Sequence, residues 1–134
     1  MSKASSNGGW GRGRQGLIGI IDDDAGVRAA FARLLTDAGY ETVAFTSADE
    51  YLFLGSPTTD CLIVDVNMPG LNGLEFTRAA VANGLRAPVI IVSVDVDDAV
   101  TRAAIEAGAV ATIPKMAAST QLLETIARLL QLPR

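Results

Sequence analysis

From Leu17 onward, short apolar runs alternate with longer segments whose apolar residues recur at helical spacing. Leu17–Ile21 is the first run; Val27, Phe31, Leu34 and Leu35 follow at helical spacing, and Ala38-Gly39 supplies the stop. Thr42–Phe45 is a second, β-branched run, and Ser47 with Glu50 gives a capping-box signature for a short helix through Leu54. Cys61–Asp65 is the third run, followed by a Pro-Gly loop. A helix is then predicted from Gly73 to about Asn83, with Leu74, Phe76 and Val81 among its apolar positions. Pro88 introduces a fourth run, Val89–Val92, and Asp97 or Asp98 caps a helix through Ala107 that Gly108 ends. Val110–Ile113 is the fifth run. Ser119 or Thr120 starts the last helix, on which Leu122, Leu123, Ile126, Leu129 and Leu130 make a wide apolar stripe.

The apolar runs show little polar alternation, as expected of strands covered on both faces. Five strand–helix units in strict alternation predict an α/β domain with a parallel sheet, right-handed crossovers and helices on both sides. The stretch Cys61-Leu62-Ile63-Val64-Asp65 ends on one carboxylate, and Met68-Pro69-Gly70 then turns the backbone out of the sheet. Asp65 is thereby placed at the carboxyl end of a central strand, where open α/β sheets bind their ligands.

Composition narrows the chemistry. A chain of 134 residues with 49% apolar and 19% charged residues suits one packed domain rather than a disordered segment. It contains no histidine, which removes imidazole triads, His-containing zinc sites and any phosphohistidine of its own. The single Cys61 rules out an internal disulfide and reads as a small core residue. The formal charge is −4, but Met1–Gly16 holds Lys3, Arg12 and Arg14 with no acid, leaving 8 bases against 15 acids, or −7, for the remainder. Such an acidic body argues against direct nucleic-acid contact and favours a bound cation. Met1–Gly16, rich in Ser and Gly, is expected to be a flexible tail, with 17–134 as the domain. Neither a membrane span nor a signal peptide is evident, so a cytoplasmic location is expected.

Several strands end in polar groups. The first runs into Asp22-Asp23-Asp24, the third ends in Asp65, the fourth leads to Ser93, and the fifth leads to Lys115. Each has an ordinary explanation alone: the Asp triplet as a helix cap, Lys115 as solvated surface. In a parallel sheet, however, these carboxyl ends share one edge. Clustered carboxylates repel and call for a cation; oxygen ligands without His or Cys favour Mg²⁺. Mg²⁺ in turn suits phosphoryl chemistry at Asp65.

With these motifs the chain resembles the receiver domain of two-component response regulators over Leu17 to Leu130. The matching stretches are Ile20-Ile21-Asp22-Asp23-Asp24, Val64-Asp65-Val66-Asn67-Met68-Pro69-Gly70 with Gly73 and Glu75, Val89-Ile90-Ile91-Val92-Ser93, and Gly108-Ala109 leading to Lys115. The resemblance implies a flavodoxin-like, doubly wound five-stranded sheet of order 2-1-3-4-5 with five helices. It implies that Asp65 accepts a phosphoryl group from a sensor histidine kinase or phosphotransfer protein. Asp23, Asp65 and the Asn67 carbonyl would hold Mg²⁺, with Asp22 acting through a bound water. Ser93 and Lys115 would contact the phosphoryl group. Two charge-assisted hydrogen bonds at about 1.5–3 kcal/mol each approach the roughly 5.5 kcal/mol that swings a two-state switch.

Three positions depart from the family pattern: Thr112 replaces the usual switch aromatic, Met116 replaces the proline after the lysine, and bulky Val94 follows Ser93. They put the output face in doubt rather than the phosphoacceptor, and Val94 is expected to crowd the site. Asp95 and Asn67, each two residues past a site residue, occupy positions that influence phosphate lifetime in the family. The leading expectation is a stand-alone receiver, not an enzyme, that passes its signal to a downstream protein effector. A homodimer through the fourth helix, fifth strand and fifth helix remains open. The alternative is a receiver-like interaction domain insensitive to phosphate. An aspartyl-phosphate hydrolase is disfavoured because Asn67 stands where such an enzyme carries a second Asp.

Overall fold

The structure is a computed structural model and describes residues 16–68, 70–115 and 118–131, the last segment without the side chains of Ala118, Ser119 and Gln131. The expected tail (all but Gly16), Pro69 and Met116 lie outside the described residues.

Among the described residues ten elements alternate. They are β1 (Leu17–Ile21), α1 (Ala25–Asp37), β2 (Glu41–Phe45), α2 (Ala48–Phe53), β3 (Cys61–Asp65), α3 (Gly73–Ala82), β4 (Val89–Ser93), α4 (Asp98–Ala107), β5 (Ala111–Pro114) and α5 (Ala118–Gln131). The strands pair in parallel in the order β2-β1-β3-β4-β5. That is the doubly wound, flavodoxin-like α/β topology. β1 and β3 neighbour each other at the centre, where the winding direction reverses.

Successive side chains of a strand point to opposite faces, which explains the unbroken apolar runs. On one face Ile20, Ile63 and Ile90 pack with Phe31 and Leu35 of α1 and Leu122 and Ile126 of α5. On the other, Leu62, Val64 and Ile91 pack with Tyr51 of α2, Phe76 of α3 and Ala104 of α4. Tyr51 stands edge-on to Phe45 and to Phe76, with centroids 5.1 and 5.5 Å apart. Cys61 is fully buried, and burial first, then the charge of Asp60, pushes its thiol up to about 12. It is inert core.

Four details differ from the sequence reading. Val110 precedes β5 and is 46% exposed, although its N–H donates to the Val89 carbonyl. Val81 is 39% exposed, its methyls lying against Gly108 at the end of α4 rather than in the core. α5 begins at Ala118, ahead of Ser119 and Thr120. The Ser47 hydroxyl does accept from the Glu50 N–H, but the Glu50 carboxylate turns to Thr46, taking its N–H and hydroxyl. The reciprocal box is found instead at Asn72 and Glu75, at the start of α3. Of the two caps expected for α4, Asp97 is the one observed, its side chain accepting from the Val100 N–H, in agreement with the sequence reading.

Candidate functional site

Strand ends build the site. In-register pairing sets Asp65 beside Val92 and Ser93 beside Pro114, so the chain after β1, β3, β4 and β5 emerges at one edge. Asp22, immediately after β1, is 1% exposed and Asp65 is 2% exposed. One carboxylate oxygen from each of Asp22, Asp23 and Asp65 lies within 4.8 Å of the others, and Asp23 is exposed to solvent. Lys115, at the end of β5, reaches between the two buried acids. Its Nζ lies 3.0 Å from Asp22 Oδ2 and 3.2 Å from Asp65 Oδ2.

Backbone and side-chain donors fix the acids in place. Asp22 Oδ1 accepts from the Asp24 N–H at 2.9 Å, and the Arg28 guanidinium donates to the Asp22 carbonyl at 2.8 Å. Asp24 caps α1 by accepting from the Val27 N–H at 3.1 Å. Asp65 Oδ1 accepts from the Asn67 N–H at 3.3 Å, which sets Asn67 at the rim of the pocket. Gly73 closes the floor: a Cβ there would lie 2.3 Å from the Asp65 carbonyl oxygen.

Electrostatics follow from this crowding. Burial, then the neighbouring Asp22 charge, raises the Asp65 carboxyl above its ordinary value, against the opposing pull of Lys115 and the Asn67 N–H. Burial alone would lower the Lys115 ammonium, but its hydrogen bonds and charge pairing with Asp22 and Asp65 outweigh that and raise it. A lysine with a raised folded value contributes stability that is complete below its ordinary value of 10.5 and fades as pH climbs through the raised one. Lys115→Ala in metal-free buffer is therefore expected to cost about 2 kcal/mol. Stranding fully buried charges costs about 3–5 kcal/mol, and Lys115 is 17% exposed. Chemical denaturation at pH 7 and again above 10.5 checks both the size and the alkaline loss of the difference.

The sequence-derived residues are thus sorted by geometry. Asp22, Asp23, Asp65 and Lys115 converge, with Asn67 adjoining. Ser93 is buried at the same edge, but its hydroxyl donates to the Asp95 carbonyl at 3.1 Å rather than to Asp65. Asp95 itself is exposed. Val94, expected to crowd the site, stands 59% exposed. Thr112 is held to α4, its hydroxyl 3.3 Å from that of Thr101. The sequence reading missed the nearer Lys115 contact with Asp22, the Arg28 clamp and the reason for Gly73. Arg28, a basic residue in the first turn of a helix that an Asp triplet opens, was the visible signal for one of them.

Comparisons with known proteins agree with this geometry. Residues 18–127 match the family model of the response regulator receiver domain. The chain is 36% identical over 115 residues to the sensory/regulatory protein RpfC of Xanthomonas campestris pv. campestris, covering 82% of this chain and 16% of that one. It is 32% identical over 111 residues to nodulation protein W of Bradyrhizobium diazoefficiens, covering 82% of this chain and 49% of that one. The chain therefore spans half or less of these relatives. The structure of Vibrio cholerae chemotaxis protein CheY4 superposes with a TM-score of 0.77 at 26% identity, covering 84% of this chain and 97% of that one. A matching family model, regulatory relatives and shared topology lead to one conclusion: the chain belongs to the response regulator receiver domain family of two-component systems.

Proposed function

We propose that Asp65 accepts a phosphoryl group from the phosphohistidine of a sensor histidine kinase or phosphotransfer protein, and that the modified domain switches its binding to a downstream protein. The observation that carries this is Lys115 Nζ set between two buried carboxylates, 3.0 and 3.2 Å away, with Asp23 beside them at the surface. A carboxylate oxygen of Asp65 attacks phosphorus, the P–N bond breaks, and its electron pair returns to the donor imidazole. With no histidine in this chain, the imidazole comes from the partner.

The donor set fits a hard divalent cation: three carboxylates, no sulfur or imidazole, and one acid open to water. Asp23, Asp65 and the Asn67 carbonyl would hold Mg²⁺, with Asp22 acting through a bound water. Bound Mg²⁺ neutralises the carboxylates and the phosphoryl oxygens that approach them. Lys115 holds the opposite side of Asp65 and pairs with the added negative charge. Ser93 joins only after its hydroxyl leaves the Asp95 carbonyl, so the β4–α4 loop moves on phosphorylation. The domain acts as a switch rather than as an enzyme on a substrate, and a cytoplasmic location suits a partner of this kind. Among the described residues no helix is long and apolar enough to cross a membrane.

Asp23→Ala is expected to weaken Mg²⁺ binding about 10–100-fold, the range seen even for groups that only support a metal ligand. Calorimetric titration of the full chain with Mg²⁺ tests this; unchanged affinity in the variant contradicts the assignment. The Ser93–Asp95 and Thr101–Thr112 hydrogen bonds favour a second reading, an interaction domain that binds Mg²⁺ yet responds little to phosphate. Normal Mg²⁺ affinity with no phosphoryl uptake identifies that case. A homodimer through α4, β5 and α5 is tested by sedimentation with and without phosphodonor.

A further inference from the structure

The chain carries three Asn-Gly pairs, Asn7-Gly8, Asn72-Gly73 and Asn83-Gly84, of which the first lies outside the described residues. Such a pair has a chemistry of its own. A glycine has no Cβ to hold its backbone nitrogen away from the preceding side-chain amide, and attack of that nitrogen on Cγ closes a cyclic imide. In a folded chain the outcome depends on how firmly the nitrogen and the amide are held. The two described pairs bracket α3 and are held very differently.

At the start of α3 both groups are committed. Asn72 Oδ1 accepts from the Glu75 N–H at 2.9 Å, and the Asn72 N–H donates to the Glu75 carboxylate at 3.2 Å. Gly73 is buried, and its N–H donates to the Val66 carbonyl at 3.0 Å. Freeing that nitrogen means pulling α3 off the exit of β3. At the end of α3 the same dipeptide is open. Asn83 and Gly84 are both exposed, and a Cβ built on Gly84 would meet no atom within 4 Å. Asn83 Nδ2 donates to the Ala79 carbonyl at 2.8 Å, and the Gly84 N–H donates to the Val81 carbonyl at 3.1 Å. Solvent-exposed bonds of a last turn are the ones that open when a helix end frays. Rotation of Asn83 from its ψ of 13° then carries the Gly84 nitrogen toward Cγ.

We propose that Asn83 is a site of self-modification, converted through attack by the Gly84 nitrogen to aspartate and isoaspartate, while the fold spares Asn72. Solvent hydroxide takes the Gly84 proton as the nitrogen bonds to Cγ. The C–N bond of the side-chain amide breaks, and ammonia leaves with a proton from water. Water then opens the imide at one carbonyl or the other. The product has lost the Nδ2 donor to Ala79 and gained a negative charge at the C-terminal end of a helix, where that sign is unfavourable.

The test is mass-spectrometric peptide mapping of the full chain aged in mildly alkaline buffer, with the same chain in guanidinium as the reference. The amide-to-acid mass change is followed at each pair. In the native chain Asn83 should convert at least about tenfold faster than Asn72, the factor that one further hydrogen bond supplies. In guanidinium the two should convert at similar rates. An unreacted Asn83, equal rates at the two pairs in the native chain, or the same preference in guanidinium would overturn the proposal.

Discussion

Asp65→Asn is expected to abolish phosphoryl acceptance while making the metal-free domain more stable. The amide is no nucleophile toward phosphorus, so uptake from a small phosphodonor should fall to background. Stability moves the other way because the ionised Asp65 carboxylate is disfavoured in the fold, first by burial and then by Asp22. The sign follows from linkage. A carboxyl whose folded value is raised costs stability at neutral pH, and the cost disappears as pH falls through that value toward the ordinary 3.8. An uncharged isostere removes that cost while Lys115 keeps Asp22 as its partner 3.0 Å away, so the gain is expected to be small, on the order of 1 kcal/mol or roughly 4 °C in a domain of this size. Thermal melts in chelator at pH 7 should show that gain, and melts near pH 3 should not. Saturating Mg²⁺ should reverse the order, because the native acid gains a ligand bond that the amide gives up. A site that binds no Mg²⁺ would show the pH dependence, which burial and Asp22 alone produce, but not the reversal.

The second large effect concerns Gly73, which carries no functional group. A Cβ at this position would lie 2.3 Å from the Asp65 carbonyl oxygen, 2.9 Å from its carbon and 3.0 Å from Val66 Cα. All three are main-chain atoms, so no rotamer can give way. The Gly73 N–H also donates to the Val66 carbonyl at 3.0 Å, tying α3 to the exit of β3. Gly73→Ala should therefore cost about 3 kcal/mol, the upper part of the overpacking range, and lower the melting temperature by roughly 10 °C. Because the backbone that must move carries Asp65, Mg²⁺ affinity should fall with it. Gly26→Ala is the control: its Cβ would meet only the Asp24 carboxylate at 3.2 Å, and α1 should tolerate it within about 1 kcal/mol. Equal stability of Gly73→Ala and the native chain would show that the α3 entrance is looser than described.

The contrast between Asp65 and Gly73 shows what a sequence can disclose. Asp65 was legible because an apolar run covered on both faces ends on a charge, and burial on both faces leaves a distinctive string of residues. The same signal located β1, β3 and β4 to within a residue, together with the shared edge that gathers Asp22, Asp23, Asp65 and Lys115. Strand order is different in kind. Alternation alone fixes a parallel sheet, and the order came from family resemblance. Edges were harder to read. Val110 and Val81 look like core residues by type, but both sit where an element ends and water reaches the side chain.

Choices between competing partners were not legible at all. Lys115 lies closer to Asp22 than to Asp65, the Glu50 carboxylate accepts from Thr46 rather than from the Ser47 N–H, and Ser93 donates to the Asp95 carbonyl. Each depends on a loop path of two or three residues that no periodicity specifies. The role of Gly73 was hidden for a related reason. It lies in the approach of two backbones eight residues apart in sequence, and only coordinates bring them together.

The most direct measurement is mass-spectrometric mapping of the full chain after incubation with a small phosphodonor, with and without Mg²⁺. The expected result is a single phosphoryl group on Asp65 that requires the metal. Phosphate on another residue, uptake indifferent to chelator, or no uptake at millimolar Mg²⁺ would contradict the assignment of this pocket.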